Sequence, residues 1–317
     1  ATARLGGMRD DDTYYPIEEA RAQLRALGLD ETMTYSFINP EAAVNCTGFT
    51  DEQLIRPSNP LSSELGTMRP TLIPGILQSV AHNIAHNNDE LAFFELGRVL
   101  ANAPGFPEER DEVAIVMTGR AHPERFGSER ESEIDFYDIK GMLECWLEAR
   151  RVTAECATAE HPAFHKGACA ALTVGGVQVA VFGEVCAELT TGLRLKHPLF
   201  LAVAQLDALR ACETAPMTYQ ALPPFPAVVR DIALLASASL PCQAVIDTVA
   251  DMKLPLIERV DLFDIYEDEK TLGAGRKSMA YSITYRDPRQ TMTDKKVNKL
   301  HERVRSTIQS KLGVELR

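Results

Sequence analysis

The sequence predicts an α+β protein in two parts, a large antiparallel sheet carrying helices and then a smaller split β-α-β sandwich. Three observations lead there. Before residue 212, segments that alternate apolar and polar residues are joined by hairpins and long loops, with few β-α-β crossovers. The stretch ACETAPMTYQALPP, rich in Pro, Ala and Thr, then breaks the pattern as a domain boundary does. From Pro223 onward the segments read strand, helix, strand, strand, basic amphipathic helix and short strand, the order of a four-stranded sheet with both helices on one face.

The elements follow in order. Residues 1–13, charged and Gly-rich, read as a linker or as the tail of a missing preceding domain, and 14–212 as the first module. Pro16 opens a helix whose stripe is Ile17, Ala20, Leu24 and Leu27, and Gly28 ends it. TMTYSFI alternates like a strand, and IPGILQSVAHNIAHN makes a second helix after the Pro-rich stretch 57–70. AFFELGRVL and EVAIVMTG read as strands separated by the loop ANAPGFPEER. DFYDIKGMLECWLEARRV is a helix with Ile139, Met142, Leu143, Trp146 and Leu147 on one side. ACAALTVGGVQVAVFGEV is a hairpin turning at Gly175-Gly176, and FLAVAQLDAL is a further strand. Residues 213–221 are the linker and 222–317 the terminal domain.

Composition is that of an ordinary globular chain: of 317 residues, 45% are apolar and 25% charged, with a net charge of −12. The charge is uneven. Residues 222–317 hold 15 Lys and Arg against 13 Asp and Glu, leaving 18 against 32 for residues 1–221. The terminal domain thus tolerates a phosphate-bearing partner that the acidic first module would repel. Seven scattered cysteines with no CxxC fit a reducing cytosol, and the absence of long apolar runs gives no reason to invoke a membrane.

The chemistry-bearing motifs fail one after another. HNIAH places His82 and His86 four apart, but Asn83 stands where a zincin needs Glu. His161, His165 and Cys169 recur at intervals of four across Pro162 and Gly167, so no helix aligns them, and no fourth ligand is evident. GAGRKS interposes Arg276 where a phosphate-binding loop needs Gly followed directly by Lys, and a strand follows it instead of a helix. We expect no catalytic residue, no metal and no cofactor in this chain.

The positive signal is side-chain parity in the terminal domain. Met279, Tyr281, Ile283 and Tyr285 alternate with Ser278, Ala280, Ser282 and Thr284, which makes the first set the core face. Phe263 and Ile265 are expected inside with Asp264 and Tyr266 outside, and Ile232 and Leu234 inside with Asp231 and Ala233 outside. Ala233, Asp264, Tyr266 and Ser278 then share an open face on which Tyr266 can stack against a base. Arg230, Arg276, Lys277, Lys295 and Lys299 are the candidate phosphate contacts, the last two on a helix that buries Val297, Leu300, Val304 and Ile308.

FPAVVRDIAL, LFDIY, KSMAYSITYRD and TMTDKKVNKLHERV, ending in LGVELR, resemble the ferredoxin-fold anticodon-binding domain that closes bacterial phenylalanyl-tRNA synthetase beta subunits. Upstream, ETMTYSFINP, NPLSSELGTMRPTLIPGILQSVAHN, FFELGRVL and DFYDIKGMLECWL resemble the same subunit's catalytic-like module, in the same order. The likeness runs from about residue 14 to 317. It implies a class II synthetase-like sheet without a working site, then a ferredoxin-like βαββαβ sandwich. It also implies a cytoplasmic α2β2 heterotetramer that joins phenylalanine to tRNA(Phe), with ATP and Mg2+ acting on the alpha subunit, for which this chain serves as scaffold. Residues 59–83 correspond to a degenerate motif 1 and Phe93–Val99 to motif 2. Arg98 there lacks the acid and glutamine pattern of a true pocket. Ala233, Asp264, Tyr266 and Ser278 carry over as the anticodon contacts. The family's N-terminal editing and tRNA-binding modules have no counterpart, so editing is not expected. Two other readings stand beside this one: a regulatory module with an amino-acid-binding (ACT-type) ferredoxin-like domain, though its loop ASASLPC lacks the usual glycine, and a pure protein-interaction scaffold.

Overall fold

Period-two alternation in the first module is resolved into two buried faces of one sheet. The computed structural model describes residues 14–103, 106–121, 133–212, 218–219 and 221–317, so the linker expected at 1–13 and most of that at 213–221 lie outside the described residues. The chain divides into two compact units, Ala1–Pro216 and Met217–Arg317.

In the first unit, helix α1 (Tyr14–Ala26) leads to two-residue strands β1 (Asp30–Glu31) and β2 (Phe37–Ile38), helix α2 (Pro40–Thr47) and strand β3 (Thr67–Met68). Helix α3 (Ile73–Ala85) precedes the long strands β4 (Leu91–Ala103) and β5 (Phe106–Thr118), and α4 (Phe136–Ala149) follows them. Then come β6 (Glu155–Thr158), β7 (Phe164–Val174), β8 (Val177–Val185), the single turn α5 (Ala187–Thr190), β9 (Leu199–Gln205) and α6 (Leu206–Ala211). Seven strands lie in the order β1-β4-β5-β9-β8-β7-β6, all antiparallel except β1 beside β4, while β2 and β3 pair separately.

Strand β5 shows how the faces are assigned. Val113, Ile115 and Met117 pack with Ala20 and Leu24 of α1, Ile139, Leu143, Trp146 and Leu147 of α4, and Leu206 and Leu209 of α6. Ala114 and Val116 point the other way, into a cluster with Ile73, Ile76, Leu77, Val80 and Ile84 of α3. Helices thus cover both faces. Asp135 holds the start of α4 in place by accepting from the Tyr137 and Asp138 backbone N–H groups, 2.7 and 3.2 Å away. The turn between β7 and β8 has φ of 57° at Gly175 and 82° at Gly176, which two glycines accept without strain.

Three expectations need correction. TMTYSFI forms only the two-residue strand β2, with Met33 88% and Tyr35 82% exposed. Its backbone finds other partners: Thr34 N–H donates to the Glu95 carboxylate at 3.1 Å, and Ser36 C=O accepts from Arg69 N–H at 2.9 Å. The stretch 101–110 belongs largely to a hairpin, because β4 and β5 stay in register out to Ala103 and Phe106. Its outer part carries Pro, Gly and charged residues in place of apolar alternation, so nothing in its pattern marks a strand. FLAVAQLDAL is split between β9 and α6.

The second unit contains β10 (Val228–Ser237), α7 (Cys242–Ala250), β11 (Ile257–Tyr266), the short α8 (Glu269–Leu272), β12 (Arg276–Tyr285), α9 (Asp294–Leu312) and β13 (Glu315–Leu316). Its sheet has the order β11-β12-β10-β13, all antiparallel, which is the split β-α-β arrangement expected. Met279, Tyr281, Ile283 and Tyr285 are fully buried against Val245 and Val249 of α7 and Val297, Val304 and Ile308 of α9. Gly313, with φ of 63°, closes α9 in the left-handed region. The fold class is α+β, as the sequence indicates. No helix among the described residues is long and apolar enough to cross a membrane.

Candidate nucleic-acid interface

Helices α7 and α9 of the second unit pack on one side of its sheet, so the other side carries neither of them. Register places the outward residues in cross-strand rows. Tyr266 lies opposite Ser278, which lies opposite Leu235. In the next row Asp264 faces Ala280, which faces Ala233. A third row is Asp261, Ser282 and Asp231, with Ser282 Oγ donating to Asp231 Oδ1 at 2.6 Å. Ala233, Asp264, Tyr266 and Ser278 therefore occupy two adjacent rows on one face.

Tyr266 is 46% exposed, with Thr271 of α8 reaching its hydroxyl at 3.4 Å. Its hydroxyl donates to Asp268 Oδ2 at 3.0 Å, so the ring is held at one end while its face stays open. Asp268 has its carboxyl lowered by the Lys270 backbone N–H first and by the Tyr266 hydroxyl second. That keeps it an acceptor at neutral pH and fixes the tyrosine hydroxyl as the donor.

Strand β11 corrects one part of the parity reading. Val260 and Leu262 lie opposite the buried Ile283 and Tyr281, so they face the helices. Pairing slips between Leu262 and Asp264, a β-bulge that leaves Phe263 without a partner on β12. Alternation from Leu262 turns Phe263 outward, and the bulge then turns Asp264 outward too. Ile265 returns to the side of Met279, and Phe263, expected inside, is 58% exposed.

The five candidate phosphate contacts do not gather at this face. Arg230 lies on the helix side, where it pairs with Asp294 at 2.8 Å. Lys277 shares the side of Met279 and is only 8% exposed, which removes it as a phosphate contact. Lys295 and Lys299 are exposed on α9, in the layer behind the sheet. Arg276 alone of the five shares the outward parity of Ser278, and it pairs with Glu315 at 2.7 Å. Asp231, Asp261 and Asp264 share the open face with Arg276 and with Arg259, which pairs with Asp261 at 2.7 Å, so its charge is mixed and Asp231 and Asp264 remain as acceptors for base-edge donors.

In the first unit, Arg98 is 55% exposed and paired with Glu109 and Asp111 at 3.2 and 3.4 Å. The buried charges are elsewhere. Arg69, 8% exposed, donates to Glu95, 1% exposed, at 2.7 Å. Thr34 Oγ1 donates to the same carboxylate at 2.9 Å, and Arg69 Nε donates to Arg98 C=O at 3.0 Å. A Cβ on Gly97 would collide with the Arg69 guanidinium, and one on Gly75 with the Thr34 hydroxyl. Sequence reading passed over this group, although a glutamate inside the apolar run FFELG was a signal that a buried carboxylate needed a partner. The His82 and His86 rings lie with centroids 4.4 Å apart, tilted by 40°, and His161 Nδ1 accepts from Ala163 N–H at 3.2 Å. Among the described residues no three His, Cys, Asp or Glu side chains converge as a metal site requires.

Comparison with known proteins matches this division. The profile described as "Ferredoxin-fold anticodon binding domain" covers residues 223–317, so the second unit is of the class of ferredoxin-fold anticodon-binding domains. The profile "Phenylalanyl tRNA synthetase beta chain CLM domain" covers residues 2–207. The chain belongs to the phenylalanyl-tRNA synthetase beta chain family. It is 32% identical to the phenylalanine–tRNA ligase beta subunit of Geobacillus kaustophilus over 100% of this chain and 39% of that protein. With the Clostridium tetani beta subunit the identity is 31%, over 92% of this chain and 36% of the relative. The chain thus spans under two-fifths of the length of these relatives. A solved pyrrolysyl tRNA synthetase of Desulfitobacterium hafniense gives a TM-score of 0.48 at 16% identity, over 62% of this chain and 68% of that one.

Proposed function

We propose that this chain is the non-catalytic, RNA-binding and assembly portion of a phenylalanine–tRNA ligase. Its second unit binds the anticodon region of tRNA(Phe), and its first unit supports a catalytic alpha subunit in an α2β2 enzyme whose ATP and Mg2+ are held by alpha. The observation carrying the RNA reading is the cluster of Ala233, Asp264, Tyr266 and Ser278 in two neighbouring rows of an open sheet face. Tyr266 stacks on an unpaired base, Asp264 and Ser278 hydrogen-bond to base edges, and Ala233 leaves room for close approach. Tyr266→Ala is expected to weaken tRNA(Phe) binding by about 1–3 kcal/mol in a filter-binding titration, with the thermal unfolding of the protein unchanged. Unchanged affinity would remove the stacking role.

The assembly reading draws on the first unit's exposed apolar groups. Met33, Tyr35 and Leu61 are 88%, 82% and 91% exposed, on segments tied together by the hydrogen bond from Asn39 Nδ2 to Glu64 Oε2 at 3.0 Å. Buried in a subunit interface they would stabilise it; left in water they gain nothing. Tyr35→Asp is expected to reduce co-purification with the alpha subunit and the charging activity of the complex, while leaving binding of tRNA by the beta chain intact. Full recovery of the complex would place the alpha contact elsewhere.

A further inference from the structure

We propose that Phe263 is a second stacking platform on the open face, taking the base next to the one held at Tyr266; this rests on the anticodon-binding reading above. Four observations carry it. The bulge gives Phe263 no partner on β12 and turns its side chain to the open side, beside Asp264. The residue is 58% exposed, and among the described residues its ring stacks on no other aromatic. The row it borders continues through Ala280 to Ala233, two methyl groups, so nothing tall obstructs a flat body lying across the sheet. Tyr266 stands three residues further along the strand, at most about 10 Å at the extended rise and less where the bulge adds an unpaired residue. That separation holds two bases side by side on the sheet instead of one base between two rings.

The sequence motif gains a division of labour from this. In Phe263-Asp264-Ile265-Tyr266 the two aromatic rings flank an outward carboxylate, while Ile265, 42% exposed on this edge strand, lies on the other side opposite Met279. Each ring offers a π-face to any base, and Asp264 between them accepts from an amino or imino group on either. Four-stranded RNA-binding sheets hold two or three bases by aromatic platforms on neighbouring strand positions, and this face has the geometry for two.

The test uses the 317-residue chain and tRNA(Phe) transcripts carrying 2-aminopurine at one anticodon-loop position at a time. Phe263→Ala is expected to weaken binding about 5- to 150-fold, the range for losing one base–aromatic stack. It should also relieve quenching at a position adjacent to the one that Tyr266→Ala relieves. Phe263→Leu, which keeps an apolar side chain without a π-face, should lose most of the affinity, and Phe263→Tyr should retain it. The leucine variant decides the matter if the alanine variant unfolds. Wild-type affinity for Phe263→Leu alongside weakened Tyr266→Ala overturns the second platform and leaves the anticodon-binding reading standing. Relief at the same position by both variants means one base and overturns the two-base arrangement. Unchanged binding in both Phe263→Leu and Tyr266→Ala overturns the inference and the reading beneath it together.

Discussion

Glu95→Ala is expected to destabilise the first unit by about 3–5 kcal/mol, the cost of leaving a buried charge without its counter-charge. Arg69 would keep its guanidinium in the core with only the carbonyls of Thr34 and Arg98 and the Thr34 hydroxyl as acceptors. Thr34 would also lose the carboxylate to which both its N–H and its hydroxyl donate. Trp146 is the single tryptophan, fully buried in this unit, so its fluorescence in a urea titration reports on the first unit without interference from the second. The control is Arg69→Leu combined with Glu95→Leu, which removes both charges and is expected to lose less than Glu95→Ala alone. A double variant as unstable as the sum of its singles would show that packing, not the unpaired charge, governs the site.

The second large effect is a pH dependence centred on Glu112. This side chain is 6% exposed, and burial pushes its carboxyl from the ordinary 4.5 up to about 7, despite the Leu72 N–H and Thr71 hydroxyl that donate to it at 2.7 and 2.8 Å. The folded state therefore holds the proton more tightly than the unfolded chain. The resulting stabilisation is complete below pH 4.5 and is lost as pH rises through about 7. Glu112→Gln keeps an acceptor for both donors and carries no charge. It should match the wild type near pH 4.5 and exceed it at pH 8 by about 3 kcal/mol. The readout is the difference in unfolding midpoint between the two proteins across that range, and a difference that stays flat would refute the assignment.

How far the sequence alone reached depends on how local each determinant is. Strand β12 was fully legible because alternation runs unbroken from Ser278 to Tyr285 and only one phase buries Met279 and the two tyrosines. The four open-face residues followed from the same period. Strand β11 was not legible in the same way, because its phase changes inside the strand and nothing in LFDIY marks the bulge. TMTYSFI failed for the opposite reason: its alternation is real, but Glu95, more than sixty residues away, supplies the acceptor that a neighbouring strand would have provided. The cations misled because charge is visible in a sequence while the layer that carries it is not. Arg230 and Lys277 are in strands facing the helices, where their partners and stems are structural.

The slip at Phe263 means that the residues beyond it on β11 take their sides from a bulge and not from the alternation that precedes it. Were the bulge straightened with every residue kept, the phase set by Val260 and Leu262 would run on unbroken and the later outward positions would exchange sides with the inward ones. Asp264 and Tyr266 would then be driven toward the helices even though neither had been altered. Loss of Phe263 itself would close the bulge and keep both outward, whereas one residue added or lost between Asp264 and Tyr266 would turn the tyrosine toward the helices.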